Sequence, residues 1–111
     1  MRITIRATSG WLSRLARRRF EFALGRFHGR VRSIAIRVAD VNGPRGGVDK
    51  RCHVTVRLAA PKRTLVIEDA DADAAVAIDR LADRTARTVA RAVDTLTGWR
   101  GRRDSLSSQE A

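Results

Sequence analysis

Apolar residues recur at every second position in four short stretches of this chain, and at helical spacing in two longer ones. "RITIRAT" puts Ile3, Ile5 and Ala7 on one side, which predicts a short strand over residues 2–8. Ser9 is a suitable N-cap for a helix over residues 10–28. At about 100° per residue, Leu12, Leu15, Ala16, Phe20, Ala23 and Phe27 gather on one side of it, with Arg14, Arg17 and Arg18 on the other. Gly29 supplies a stop. Ile34, Ile36 and Val38 share a face of a second strand over 31–41. Cys52, Val54, Val56 and Leu58 share a face of a third over 51–60, whose other face carries Arg51, His53, Thr55 and Arg57. Pro61 and Lys62 turn the chain into a fourth strand over 63–67. A second helix then runs to about residue 96, with Ala74, Ile78, Leu81, Thr85, Val89, Ala92 and Leu96 as its core stripe and Gly98 as its end. Glu68, Asp69, Asp71 and Asp73 fall just before and within its first turn. Carboxylates there satisfy free N–H groups and the positive end of the helix dipole, so capping outweighs metal binding as the reading of this cluster.

The order β-α-β-β-β-α, with one apolar face per strand and one apolar stripe per helix, predicts an α+β fold: a mixed four-stranded sheet with two helices packed on one face. At 111 residues one domain is expected. It spans 1–97, followed by a short basic tail, 98–111, whose lack of periodicity predicts disorder.

Charge sharpens this picture. Lys and Arg number 23 and Asp and Glu 12, a formal net charge of +11, which favours a polyanionic partner. The second helix carries the most informative arrangement. Arg80, Arg84, Arg87 and Arg91 project into an arc of roughly 60°, with Asp79, Asp83 and Asp94 on a separate arc. A helix built only for stability would interleave opposite charges at three- and four-residue spacing. A row of arginines instead suits phosphates along a nucleic-acid backbone, because each guanidinium can grip a phosphate with two hydrogen bonds. Arg14, Arg17 and Arg18 form a second basic row, and the two are expected to flank one groove. RNA is favoured over DNA, since no helix-turn-helix, zinc finger or basic zipper is present. With no Tyr, and with Phe assigned mostly to the first helix's core, recognition through phosphates and shape is expected rather than base stacking. Trp99, beside Arg100, Arg102 and Arg103, is a lesser candidate for stacking on a base.

Other chemistries find little support. His28 and His53 are the only histidines and Cys52 the only cysteine. Adjacent strand positions face opposite ways, so Cys52 and His53 do not form a nucleophile and base, and no zinc spacing exists. The chain is therefore read as a non-enzyme, with no cofactor, metal or small-molecule substrate. One cysteine fits a reducing cytoplasm, and no apolar run approaches a membrane span. The arginine-rich first thirty residues resemble a transit peptide or a membrane-surface helix, but the strand alternation at their start argues against both. The loop "NGPRGGVDK" suggests a phosphate cradle, yet it enters a strand rather than a helix and lacks Lys-Ser/Thr after its last glycine. Its glycines serve turns between two strands, and Arg45 and Lys50 remain secondary RNA contacts.

The β-α-β-β-β-α order and "AIDRLADRTAR", residues 77–87, resemble the ribosome hibernation-promoting factor / ribosome-associated inhibitor family, also called sigma-54 modulation proteins, in its short form. The family stretch reads Ala-Ile-Asp, then Leu, then Asp followed by Lys or Arg and a further basic residue. "NGPRGGVDKRCHV" also looks like the second-to-third-strand junction of some members. The resemblance covers about residues 1–97. It implies a translation inhibitor that occupies the mRNA–tRNA channel of the small ribosomal subunit under stress or in stationary phase, through 16S rRNA contacts from both helices. Arg84 and Arg87 match the motif's basic positions, Arg80 and Arg91 share their face, and Arg14, Arg17 and Arg18 rest on the projection of the first helix. Long members carry a second domain that pairs ribosomes; this chain is expected to be too short for one. Two alternatives remain: a general RNA- or DNA-binding regulatory module, and an adaptor whose arginines meet an acidic protein.

Overall fold

The computed structural model describes the backbone of residues 1–7, 9–42 and 48–109 and the side chains of 1–7, 9–40 and 49–94. The elements are β1 (Arg2–Arg6), α1 (Gly10–Leu24), a 3₁₀ turn (Gly25–Phe27), β2 (Val31–Asn42), β3 (Val48–Ala59), β4 (Lys62–Asp71) and α2 (Ala74–Gln109). The strands form one sheet in the order β1-β2-β3-β4. β1 runs parallel to β2, and β2–β3 and β3–β4 are antiparallel. This is the mixed four-stranded α+β arrangement that the alternation predicts.

Register explains why one face is dry. Ile3 and Ile5 stand opposite Ile34 and Ile36. Ile34, Ile36 and Val38 stand opposite Val56, Val54 and Cys52, and Val56 and Val54 meet Leu65 and Ile67. Onto this face pack Leu12, Leu15, Ala16, Phe20 and Leu24 of α1 and Ala77, Ile78, Leu81, Val89 and Ala92 of α2. Thr85 is fully buried among them, and its hydroxyl has no hydrogen-bond partner. The other face of the sheet, carrying Thr4, Arg37, His53 and Arg57, has no layer over it among the described residues.

Local chemistry sets the helix starts. Ser9 holds extended backbone and its hydroxyl accepts from the Leu12 N–H at 3.4 Å. At α2, Asp73 alone plays that part, its Oδ1 accepting from the Ala75 and Val76 N–H groups at 2.9 and 3.4 Å. α1 is shorter than the spacing suggests, tightening into the 3₁₀ turn at Gly25. α2 is longer: its backbone stays helical through Gly98, where the sequence punctuation puts an end. A single interior glycine costs about 1 kcal/mol relative to alanine, and no proline follows to enforce the stop. The side chains from residue 95 onward, Trp99 among them, lie outside the described residues.

The largest difference from the sequence reading is at β4, which continues to Asp71 rather than ending at Ile67. Three of the four clustered acids, Glu68, Asp69 and Asp71, therefore belong to a strand. Leu65, Ile67, Asp69 and Asp71 keep one period-two alternation, so Asp69 and Asp71 sit on the helix side of the sheet, just past the apolar core.

Candidate nucleic-acid interface

The arginine row of α2 lies above that strand end, and the acids hold it. Arg80 Nε and Nη2 donate to the two carboxylate oxygens of Asp69 at 2.8 and 3.0 Å, Nη1 reaches Asp71 at 3.2 Å, and Nη2 also meets the Ala70 carbonyl at 3.1 Å. Arg84 Nη1 donates to the Glu68 carbonyl at 2.9 Å and stands 3.6 Å from Asp69. Arg87 pairs with Asp83 one turn earlier at 3.0 Å. Arg91 is exposed and lines a shallow depression with Arg63, Leu65 and Thr88. Hydrogen bonding from Arg80 holds the Asp69 carboxyl below the usual carboxylate range, although partial burial pulls the other way. The same pairing raises the Arg80 guanidinium further above its already high value.

The first-helix row stands elsewhere. Arg14, Arg17 and Arg18 are all exposed, and Arg17 Nη1 leans toward the Ile3 carbonyl of β1 at 3.5 Å. β1 and β4 are opposite edges of the sheet, three strand spacings or about 14 Å apart. The two rows therefore mark the outer flanks of the helical layer. The seam between the helices is crossed instead by Arg19 and Asp79, paired at 2.9 Å. At both edges an arginine covers a strand carbonyl that no neighbouring strand can take, which blunts an edge otherwise open to another chain.

Two aromatic positions were missed by the sequence reading. Phe20 and Phe27 are buried as expected, but Phe22 is 91% exposed and Trp11 54% exposed. They stand eleven residues apart, three helical turns, so both lie on the outward face of α1 with Arg14 and Arg18 between them. The helical projection already holds that signal, since Phe22 falls off the core stripe.

Among the secondary candidates, Lys50 is bound to Asp40, its cross-strand partner, at 2.6 Å. Arg45 lies outside the described residues. Cys52 is completely buried, and its thiol is pushed up to about 11, mainly by burial and secondarily by the neighbouring Asp69. Among the described residues no group of three or more His, Cys, Asp or Glu side chains could hold a metal ion, and no helix is long and apolar enough to cross a membrane.

No family model matches the sequence, and no curated protein matches it. Solved structures do match. A ribosomal subunit interface protein from Coxiella burnetii superposes with a TM-score of 0.65 at 17% identity, covering 82% of this chain and 96% of that one. The N-terminal domain of Protein Y from Thermus thermophilus superposes with a TM-score of 0.58 at 21% identity, covering 81% of this chain and 93% of that one. At these identities the likeness is one of fold, and it extends over about four-fifths of this chain and nearly the whole of each matched chain: the chain has the fold of a ribosomal subunit interface protein and of the Protein Y N-terminal domain.

Proposed function

We propose that this chain is a ribosome hibernation factor: a cytoplasmic, non-enzymatic protein that binds the small ribosomal subunit through 16S rRNA and idles translation by occupying the mRNA–tRNA channel. The supporting observation is the conjunction of the fold shared with a ribosomal subunit interface protein and exposed arginine rows on both helices of that fold. Arg84, Arg87, Arg91, Arg14, Arg17 and Arg18 carry the phosphate contacts. Arg80 belongs to the same row, but its guanidinium is committed to Asp69 and Asp71, so it positions the start of the row more than it reaches outward.

Co-sedimentation with purified small subunits tests this. The chain is expected to travel with the subunit, to be displaced by mRNA plus initiator tRNA, and to be lost from it when Arg84, Arg87 and Arg91 are replaced by Ala in a chain with unchanged circular dichroism. Unchanged co-sedimentation of that variant refutes the site. Indifference to mRNA and tRNA would leave a general RNA binder, and complexes that survive ribonuclease would leave an adaptor for acidic protein.

A further inference from the structure

The uncovered face of the sheet carries a second set of arginines that the proposed helix contacts do not use. Cross-strand register arranges it in rows. Arg6 stands opposite Arg37, which stands opposite His53. Four residues along the strands, Arg2 stands opposite Ser33, which stands opposite Arg57. The irregularity between Val31 and Ser33 adds one residue to β2, and that residue, Arg32, joins Arg2 and Arg57 around a common depression. Between the two basic rows lies a floor of small side chains, Thr4, Ala35 and Thr55, lining a shallow groove of about 540 Å³. The rows are about 13 Å apart along the strands.

These charges are unspent. Among the described residues, Arg2, Arg6, Arg32, Arg37 and Arg57 have no salt-bridge partner, whereas Arg80, Arg84 and Arg87 on α2 all do. Register puts two acids on this face, Asp49 at the far end of β3 and Glu68 on β4, and Glu68 stands 3.6 Å from His53. Like charges directly opposite in a sheet are destabilising, and Arg6 facing Arg37 is such a pair. An external anion would relieve that repulsion. The face offers guanidinium forks and hydroxyls, and among the described residues no Phe, Tyr or Trp; its one imidazole, His53, stands 3.6 Å from Glu68. That composition suits phosphates and sugars rather than stacked bases. It is also continuous with the first-helix row, because Arg17 reaches the β1 edge from whose other side Arg2 and Arg6 project.

We propose that the open face of the sheet is a second RNA-binding surface, taking the phosphodiester backbone of one RNA strand across the groove between the Arg2/Arg32/Arg57 and Arg6/Arg37 rows, independently of the helix rows. The chain then holds RNA on two opposite faces. The surface is sequence-tolerant, since it meets no base edges.

The test is fluorescence anisotropy of the full chain with a labelled, unstructured 20-nucleotide RNA, titrated at several salt concentrations. Replacing Arg2, Arg32, Arg37 and Arg57 by Gln is expected to weaken binding by about tenfold or more at low salt and to flatten the log–log salt slope by about 2.8, at roughly 0.7 for each phosphate left without its arginine. The Arg84/Arg87/Arg91 variant keeps that share of the slope, and combining the two sets adds their effects. If the fourfold variant does not fold, Thr55→Glu puts one carboxylate into the groove floor and is expected to weaken RNA binding while leaving the helix rows intact. Wild-type affinity and slope in a folded sheet variant overturn the proposal. So does tighter binding of poly-glutamate than of RNA, because that outcome makes the face a protein-docking surface. The RNA titration reads the sheet face, and co-sedimentation of the helix variant reads the proposed ribosome site, so either can fail alone.

Discussion

Neutralising two acids is expected to improve RNA binding. Asp69 and Asp71 hold Arg80 through three charge-assisted hydrogen bonds and draw Arg84 to 3.6 Å, so this end of the α2 row is locally neutral: two guanidiniums against two carboxylates. Asp69→Asn with Asp71→Asn keeps side-chain shape and a carbonyl acceptor for each guanidinium, but removes both negative charges. Arg80 becomes available to phosphates, adding one arginine to those already in contact. Each further neutralised phosphate steepens the salt dependence of log affinity by about 0.7 to 0.9, so the slope should steepen by that amount. From about 50 to 200 mM salt, the double variant should lose roughly threefold more affinity than wild type loses, and it should bind correspondingly tighter at the low-salt end. Anisotropy titrations at four salt concentrations measure this, with a urea melt to show that the fold survives. An unchanged or shallower slope in a folded double variant would mean that Arg80 lies off the path of the RNA, and its part would be reduced to covering the β4 edge.

Further outcomes concern the core and the ion pair. Phe20→Ala, at a fully buried site, should cost about 3–5 kcal/mol in chemical denaturation. Phe22→Ala, two residues on and 91% exposed, should stay within about 0.5 kcal/mol, and a large loss there would show that α1 is rotated from its described orientation. Thr85→Val should raise stability by about 1 kcal/mol or more, because it removes a buried hydroxyl that has no partner while nearly conserving volume; a drop in the urea midpoint would reveal a hydrogen bond to that hydroxyl. The Asp69 carboxyl, held low by Arg80, should contribute stability above about pH 4 that disappears as the pH falls through its depressed folded value. Arg80→Gln should move that acid loss to higher pH, and carboxyl NMR titration would show Asp69 rising; an unmoved Asp69 would contradict the pairing.

Much of the fold is written in alternation. The apolar middle of the central hairpin and the buried stripes of both helices follow from spacing, because a half-buried element must repeat its apolar side chains with its own geometric period. β3 nonetheless starts at Val48, ahead of the expected residue 51 and within the stretch read as a loop. The misplaced acids show where that reasoning stops. Apolarity ends at Ile67 but the strand does not, since a strand's period is a property of its backbone and Asp69 and Asp71 continue it beyond the edge of the core. Reading hydrophobicity and geometry as one signal turned a strand end into a helix cap and hid the partners of Arg80. The candidate rows were similarly half legible. The projection of each helix places its arginines correctly on that helix, yet it holds nothing about the neighbouring strand. That the two rows lie at opposite sheet edges, and that Arg19 rather than either row meets the opposite helix, depends on packing between elements distant in sequence.

Cys52 gives the molecule a built-in clock. The thiol sits fully buried on β3, a central strand, and its ionisation is pushed up to about 11, so at neutral pH it is both inaccessible and almost entirely un-ionised. A thiol reagent added to the folded chain therefore waits for the sheet to open, and in excess reagent the labelling rate measures how often the middle of the sheet is exposed. No engineered probe is needed. The same measurement made with RNA bound would show how far a ligand on the outer surfaces quiets the interior, in a chain whose single sulfhydryl otherwise stays out of redox traffic.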